Sequence, residues 1–190
     1  MINVSAKARK IKEEDLEMIM NWRMSPEVTK YMTTEPKLTL DGQKKWLRKI
    51  NENRDEFYYI LEVDDTPVGI VSFVEWDKNA DIIHTGVYIA VKEKRSIKLT
   101  ADLQMSLYDF AFETLKVNKV AFEILGNNPM VIKFNERLGA KREGILRQAI
   151  KKGNEYYDLY LLSVLKEEWP YVKEKTKYDK IVFPLRVDEV

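Results

Sequence analysis

Apolar residues recur along the chain with two different periods, and the switches between them mark its elements. Val4 to Arg9 alternates weakly and reads as an edge strand. Glu13 to Arg23 carries Leu16, Ile19 and Met20 at i, i+3, i+4 spacing, the signature of an amphipathic helix. Ser25-Pro26-Glu27 then predicts a short second helix ending near Tyr31-Met32. Serine suits the cap, proline the first helical position, and glutamate the positive end of the dipole. Thr39 caps a third helix through about Asn53, with Leu40, Leu47 and Ile50 on one face.

The period changes after this helix. Phe57 to Val63 is aromatic and β-branched and reads as a strand. Asp64-Asp65-Thr66 turns into a mostly apolar strand over Pro67 to Trp76. Asp77-Lys78-Asn79-Ala80 turns again into a third strand over Asp81 to Val91. A long helix follows, which Thr100 can cap, with an apolar stripe of Leu103, Leu107, Phe110, Ala111 and Leu115. Lys119 to Leu125 is a strand, and Pro129 to Leu138 a helix stopped by Gly139. Lys141 to Ile150 and Glu155 to Val164 are strands joined by a turn at Lys152-Gly153-Asn154. The tail from Lys166 is charged but carries Trp169, Tyr171, Val182 and Phe183, which suit partial packing on the domain or on a partner. This order predicts an α/β or α+β domain with a mixed sheet. There is no internal repeat and no low-complexity stretch.

Composition narrows the chemistry. The 190 residues suit one domain, and 32 Lys+Arg against 31 Asp+Glu leave a net charge of +1. That balance gives no chain-wide drive toward nucleic acid or an acidic membrane. No Cys and a single His, His84, exclude disulfides, thiolate chemistry and His-rich metal sites. His84 is expected as a strand residue or a substrate contact. No apolar segment follows the basic N-terminus, and none approaches a membrane span, so the default expectation is a cytoplasmic protein.

Three places can carry chemistry. Val91 to Thr100 holds Lys92, Lys94, Arg95 and Lys98 against Glu93, and it feeds a helix N-terminus. Such a loop is either an anion site or a solvated surface. Gly126-Asn127-Asn128-Pro129 joins a strand to a helix, where an Asn caps the helix or reaches into a cleft. Ser72, Tyr88 and Glu123 are polar residues within apolar strands. Glu123 is either buried, with a raised pKa suited to a base, or turned to solvent. Ser72 and Tyr88 alone read first as core residues with satisfied hydroxyls.

Tyr108 to Leu115, Asn128 to Ala140 and Arg142-Glu143-Gly144 resemble the GNAT superfamily of N-acetyltransferases, in its ribosomal-protein branch. Asn21-Trp22-Arg23 through Tyr31-Met32, with Gln43-Lys44-Lys45-Trp46, is similar to the amino-sugar-nucleotide N-acetyltransferases of pseudaminic acid synthesis. The resemblance runs from about Ile2 to Trp169, which sets a domain at 1–169 and a C-terminal extension at 170–190. It implies a three-layer fold with a mixed, mostly antiparallel central sheet, a splayed parallel strand pair and helices on both faces. It implies acetyl-CoA as co-substrate, and with no Cys and one His no metal is expected. Partners are then a small-molecule amine, with neither nucleic acid nor membrane, in a monomer or homodimer.

The resemblance also assigns roles. The pantetheine arm pairs with backbone at Ile89, Ala90 and Val91; the pyrophosphate rests on Arg95, Ser96, Ile97, Lys98, Leu99 and Thr100; Asn128 meets the pantetheine. Glu123 is the base, through water, and Tyr88 and Ser72 complete the polar site. Arg23, Met32, Gln43 and Trp46 take the acceptor side, where an Arg can hold a diphosphate. Three positions depart from the family. The pyrophosphate loop lacks both small residues, the usual acid tyrosine position is Asn135, and the sugar-nucleotide histidine is Gln43. The leading expectation is an amino-sugar-nucleotide N-acetyltransferase. The alternatives are acetylation of a protein N-terminus or other small amine, or a non-catalytic module prompted by the lost glycines.

Overall fold

A computed structural model describes residues 5–185. Val4, the first residue of the expected edge strand, lies outside them. Strand β1 is Ala6–Lys10, and a 3-10 turn at Glu13–Asp15 opens helix α1, Leu16–Met24. Then come α2, Pro26–Thr29, and α3, Leu40–Glu52. The meander is β2, Phe57–Val63, β3, Thr66–Asp77, and β4, Ile82–Ile89. After it follow α4, Ile97–Asp109, β5, Lys119–Leu125, and α5, Pro129–Arg137. The last elements among the described residues are β6, Lys141–Lys152, β7, Glu155–Leu165, and α6, Trp169–Lys175. Among the described residues no helix is long and apolar enough to cross a membrane.

Among the described residues seven strands form one sheet in the order β1-β2-β3-β4-β5-β7-β6. Every pairing is antiparallel except β4 with β5. That parallel pair is brief, from Ile82 opposite Lys119 to His84 opposite Ala121. Beyond it β4 stays with β3 as far as Ile89, and β5 stays with β7 as far as Leu125. Each strand keeps its outer neighbour and loses the inner one, so the sheet splays at its centre.

Helices cover both faces, as expected. Ile60 and Ile70 pack with Leu16, Ile19, Leu47 and Ile50 beneath α1 and α3. On the other face Tyr59, Phe73, Ile83 and Val120 pack with Leu103, Leu107 and Phe110 of the long helix. The α3 cap is the expected one, since Thr39 Oγ1 accepts from the Gly42 amide at 3.2 Å. Two other caps differ from expectation. The Ser25 hydroxyl donates back to the Trp22 carbonyl at 2.8 Å instead of capping α2. Ser96, not Thr100, caps α4: its Oγ accepts from the Leu99 amide at 3.1 Å, while Thr100 Oγ1 donates to the Ser96 carbonyl. The long helix therefore starts a turn earlier and ends in a π-helical turn at Phe110–Thr114. Gly139 follows α5 at φ +95°, and a Cβ there would lie 2.4 Å from a Val172 methyl, so both its backbone and the approach of α6 require glycine.

The segment after Trp169 packs more fully than its charge suggests. Val172, Ile181 and Phe183 are buried in the main core, while Tyr171 and Val182 face outward. Phe183 meets Tyr59, Phe73 and Phe110 with centroids 5.3–5.5 Å away. A polar stripe on α4 receives the tail: Asp102 accepts from the Asp179 amide and Ser106 from the Ile181 amide, each at 2.9 Å. Asp109 accepts from Lys173 and Tyr178 and pairs with Lys180.

Candidate active site

The splay opens a cleft of about 1120 Å³ that runs from the α4 N-terminus, between β4 and β5, to the layer of α1, α2 and α3. Its shape begins at Gly69 on β3. A Cβ there would fall 2.1 Å from the Tyr88 carbonyl oxygen, so only glycine lets β3 press this closely on β4. The Val68 carbonyl then accepts from two successive amides, Ala90 at 2.7 Å and Val91 at 3.2 Å. This bulge ends β4 at Ile89, two residues before the expected limit, and a 3-10 turn at Lys92–Lys94 follows.

The bulge changes the expected pantetheine contacts. The Ala90 and Val91 amides are spent on Val68 and cannot pair with a ligand in this arrangement. The carbonyls of Ile89 and Ala90 accept instead from Arg95, at 2.9 and 3.4 Å. Of the residues expected on the cofactor side, Ile89, Arg95, Ser96, Ile97, Thr100 and Asn128 line the cleft. Ala90, Val91, Lys98 and Leu99 do not.

The basic loop, read from sequence as either an anion site or a solvated surface, is largely neutralised by ion pairs. Lys98 turns away to Asp102 and Asp179, Lys94 pairs with Asp64 at 3.4 Å, and Arg95 lies 3.8 Å from Glu27. Leu99 is buried in the core. What the loop offers the cleft is the α4 N-terminus, Arg95 and the Ser96 hydroxyl, flanked by Ile97, which is 81% exposed. Asn128 does not cap α5 through its side chain, and Asn127 Nδ2 reaches across to the Lys30 carbonyl at 2.9 Å.

The middle of the cleft suits an extended amide-bearing ligand such as acetyl-CoA. Gln104 of α4 and Asn135 of α5 both line it. Gln104 Nε2 and Asn135 Oδ1 are buried without a hydrogen-bond partner. A buried donor and a buried acceptor without partners are costly unless a ligand satisfies them, and a chain of amides can satisfy both. The residues present therefore fit the group. Gln104 escaped the sequence reading, although a glutamine inside the Leu103–Leu107 stripe was its signal.

At the centre, Ser72, Tyr88 and Glu123 share one face of the sheet. Ser72 pairs with Gly86, Tyr88 lies two residues on, and Glu123 lies two residues beyond Ala121, the partner of His84. Glu123 is exposed, so the buried carboxylate reading does not hold. It faces the cleft because β4 leaves β5 just before it. Burial pushes the Tyr88 pKa above the usual phenol value, with Arg23 opposing, so Tyr88 is a neutral hydrogen-bond donor at neutral pH. Ser72 Oγ donates to the Gly86 carbonyl at 3.3 Å. His84 does not line the cleft; its Nδ1 lies 4.0 Å from Glu75.

Beyond Tyr88, the residues expected on the acceptor side, Arg23, Met32, Gln43 and Trp46, line the same cleft. Tyr58 joins them, edge-on to Trp46 with centroids 5.2 Å apart. Alternation in Phe57-Tyr58-Tyr59 was its signal, since only the middle residue faces α3.

Residues 8–161 match the acetyltransferase (GNAT) domain family. An uncharacterized N-acetyltransferase, p20, of Bacillus licheniformis is 25% identical over 166 residues, 85% of this chain and 93% of that protein. The spermidine N(1)-acetyltransferase of Vibrio cholerae is 20% identical over 172 residues, 88% of this chain and 97% of that one. The fold matches the crystal structure of the spermidine N-acetyltransferase of Vibrio cholerae with CoA and spermine, at a TM-score of 0.81 and 19% identity, over 87% of this chain and 98% of the other. A sheet splayed at one parallel pair, and a domain match spanning most of the sequence, lead to one assignment: this chain belongs to the GNAT family of N-acetyltransferases.

Proposed function

We propose that this enzyme acetylates the primary amine of a small molecule. The observation that carries the reading is the single cleft joining the α4 N-terminus, the splayed strand ends and the Ser72–Tyr88–Glu123 face. The N-acetyltransferases that match it are generic or act, by name, on spermidine, which supports a small amine over the amino-sugar nucleotide suggested by the N-terminal half.

Ser96, Arg95 and the α4 N-terminus would hold the cofactor's phosphates, and Asn128, Asn135 and Gln104 its amide arm. Bound acetyl-CoA supplies an acetyl thioester activated toward an amine. Glu123 attracts the acceptor ammonium and takes its proton, directly or through one water, which generates the neutral nucleophile. As the N–C bond forms and the thioester C–S bond breaks, the second proton leaving nitrogen would go to the departing sulfur, directly or through water, while Tyr88 keeps its own proton and can donate a hydrogen bond where negative charge develops on oxygen or sulfur. The aromatic walls of Trp46, Tyr58 and Tyr88 exclude water around the reacting amine.

Calorimetry with acetyl-CoA, followed by free-thiol release with a panel of primary amines, tests the reading. Saturable binding with amine-dependent thiol release is expected. Absence of acetyl-CoA binding would overturn it and favour a non-catalytic module.

A further inference from the structure

The acceptor end of the cleft holds a cation without a counterion. Arg23 is half-buried on α1, and burial pulls its pKa below the usual guanidinium value. Its terminal nitrogens donate to the Thr34 carbonyl at 3.2 Å and the Thr34 hydroxyl at 2.6 Å, both neutral. Among the described residues no carboxylate lies within ion-pair reach of it. A partly desolvated charge is unfavourable until an opposite charge meets it.

A second group faces the same chamber. Gln43 of α3 is only 7% exposed and lines the cleft; its backbone amide is bonded to the Thr39 carbonyl at 2.9 Å, and its side-chain amide faces the chamber without a hydrogen bond to a described residue. The amide is therefore open to whatever occupies the chamber. The Arg23 charge makes this chamber a receptor for an anionic oxygen rather than for a second cation, and the Gln43 amide, from a different helix, can donate to the same oxygen through Nε2.

The charges lining the cleft agree. The acidic ones are Glu27 and Glu123. Glu27 is shared with Lys30 at 3.6 Å and Arg95 at 3.8 Å. Glu123 is the carboxylate left for an ammonium. A polyamine brings several ammonium groups to this one carboxylate and sets another against Arg23.

We infer that the acceptor carries an anionic oxygen group, carboxylate or phosphate, besides its reacting amine, and that Arg23 and Gln43 receive this group while Glu123 faces the amine. The preferred acceptor is therefore zwitterionic, with an apolar linker lying against Trp46 and Tyr58. This rests on the small-amine reading and makes its substrate class specific.

The test uses four three-carbon amines: 3-aminopropyl phosphate, β-alanine, 3-aminopropanol and 1,3-diaminopropane. Each is titrated calorimetrically into the full chain, with and without CoA. The phosphate or the carboxylate is expected to bind at least tenfold tighter than the alcohol and the diamine, and the tighter of the two identifies the anion. Arg23→Gln should erase that difference while leaving the Kd for CoA unchanged. Gln43→Glu, which adds a carboxylate to the same wall, should shift the preference toward the diamine. Binding of the diamine as tight as that of both anions, or an Arg23→Gln variant that keeps the preference, overturns the inference. Failure of the acetyltransferase reading shows separately, as wild-type chain that does not bind acetyl-CoA, because the anion preference is also read without cofactor.

Discussion

Lys98 Nζ sits 2.5 Å from Asp102 Oδ2, one turn further along α4, and also reaches Asp179 Oδ2 at 2.7 Å. The most prominent lysine of the basic loop thus fastens the C-terminal tail instead of facing the cleft. Lys98→Ala should leave acetyl-CoA affinity within twofold of wild type at any salt concentration. Its effect should appear as faster amide hydrogen exchange at Asp179, with a stability loss of roughly 0.5 kcal/mol for so exposed a lysine. A salt-dependent loss of cofactor affinity would return Lys98 to the phosphate site.

Glu123 and Tyr88 divide the proton work, and their variants should differ in kind. Glu123→Gln is expected to lower kcat about tenfold or more with cofactor Kd unchanged, the result of losing a base. The loss should shrink at high pH, where more of the acceptor arrives already neutral. Tyr88→Phe should lower kcat at every pH alike, because its phenol stays protonated across the working range. A pH–rate profile for each variant against wild type measures the distinction.

The parts of this site that were legible from sequence are those set locally. Phe57–Val63 and Lys119–Leu125 carry their strand pattern within seven residues, and the structure keeps both limits. The π-turn at Phe110–Thr114 leaves no such trace, since its residues continue the α-helical stripe and only the bond pattern changes. The direction of Lys98 depends on Asp179, 81 residues away. The exposure of Glu123 depends on β4 parting from β5, which no period within β5 encodes. Residue types announced the chemistry; long-range pairing decided which groups face the cleft.

Gly69 makes the bulge at the end of β4 possible, and its side-chain hydrogen stands where a Cβ would meet the Tyr88 carbonyl at 2.1 Å and Ile89 Cα at 2.9 Å. Both obstacles are backbone, so neither can rotate aside. Gly69→Ala should cost about 1–3 kcal/mol and should also weaken acetyl-CoA binding, because the strand end that lines the cleft must move. Urea denaturation and calorimetry on the same variant measure the two effects; a destabilised variant with unchanged cofactor affinity would detach the bulge from the site.

Asp109 anchors the tail through charge. Burial raises its pKa, but Lys173 and Lys180 outweigh that and hold it below the usual 3.8. A carboxyl whose folded pKa is lowered contributes stability above its unfolded pKa, and that contribution drains away as pH falls through the folded value. The stability gap between wild type and Asp109→Asn should therefore be about 1–3 kcal/mol at pH 7 and should begin to shrink as pH falls below about 4. Urea midpoints from pH 7 down to pH 3 give the comparison, and a gap that widens in acid would contradict it.

Lys152, near the tip of the β6–β7 hairpin, reaches back over the chain to α2. Its side chain is only 10% exposed, its Nζ donates to the Thr29 carbonyl at 2.6 Å, and it pairs with Glu35 at 3.0 Å. Asn127 holds the next carbonyl, Lys30, at 2.9 Å. Two side chains from the far half of the sheet thus fasten the end of α2, from which Tyr31 and Met32 line the acceptor side. Lys152→Ala frees that end and leaves the cofactor side untouched. A loss of about 1 kcal/mol in acceptor positioning corresponds to roughly a fivefold rise in acceptor KM, with the KM for acetyl-CoA unchanged. Lys152→Arg keeps the charge and a donor and should recover most of the loss. Steady-state kinetics with each substrate varied in turn separates the outcomes, and equal rises in both KM values would show that the contact supports the whole fold rather than the acceptor side.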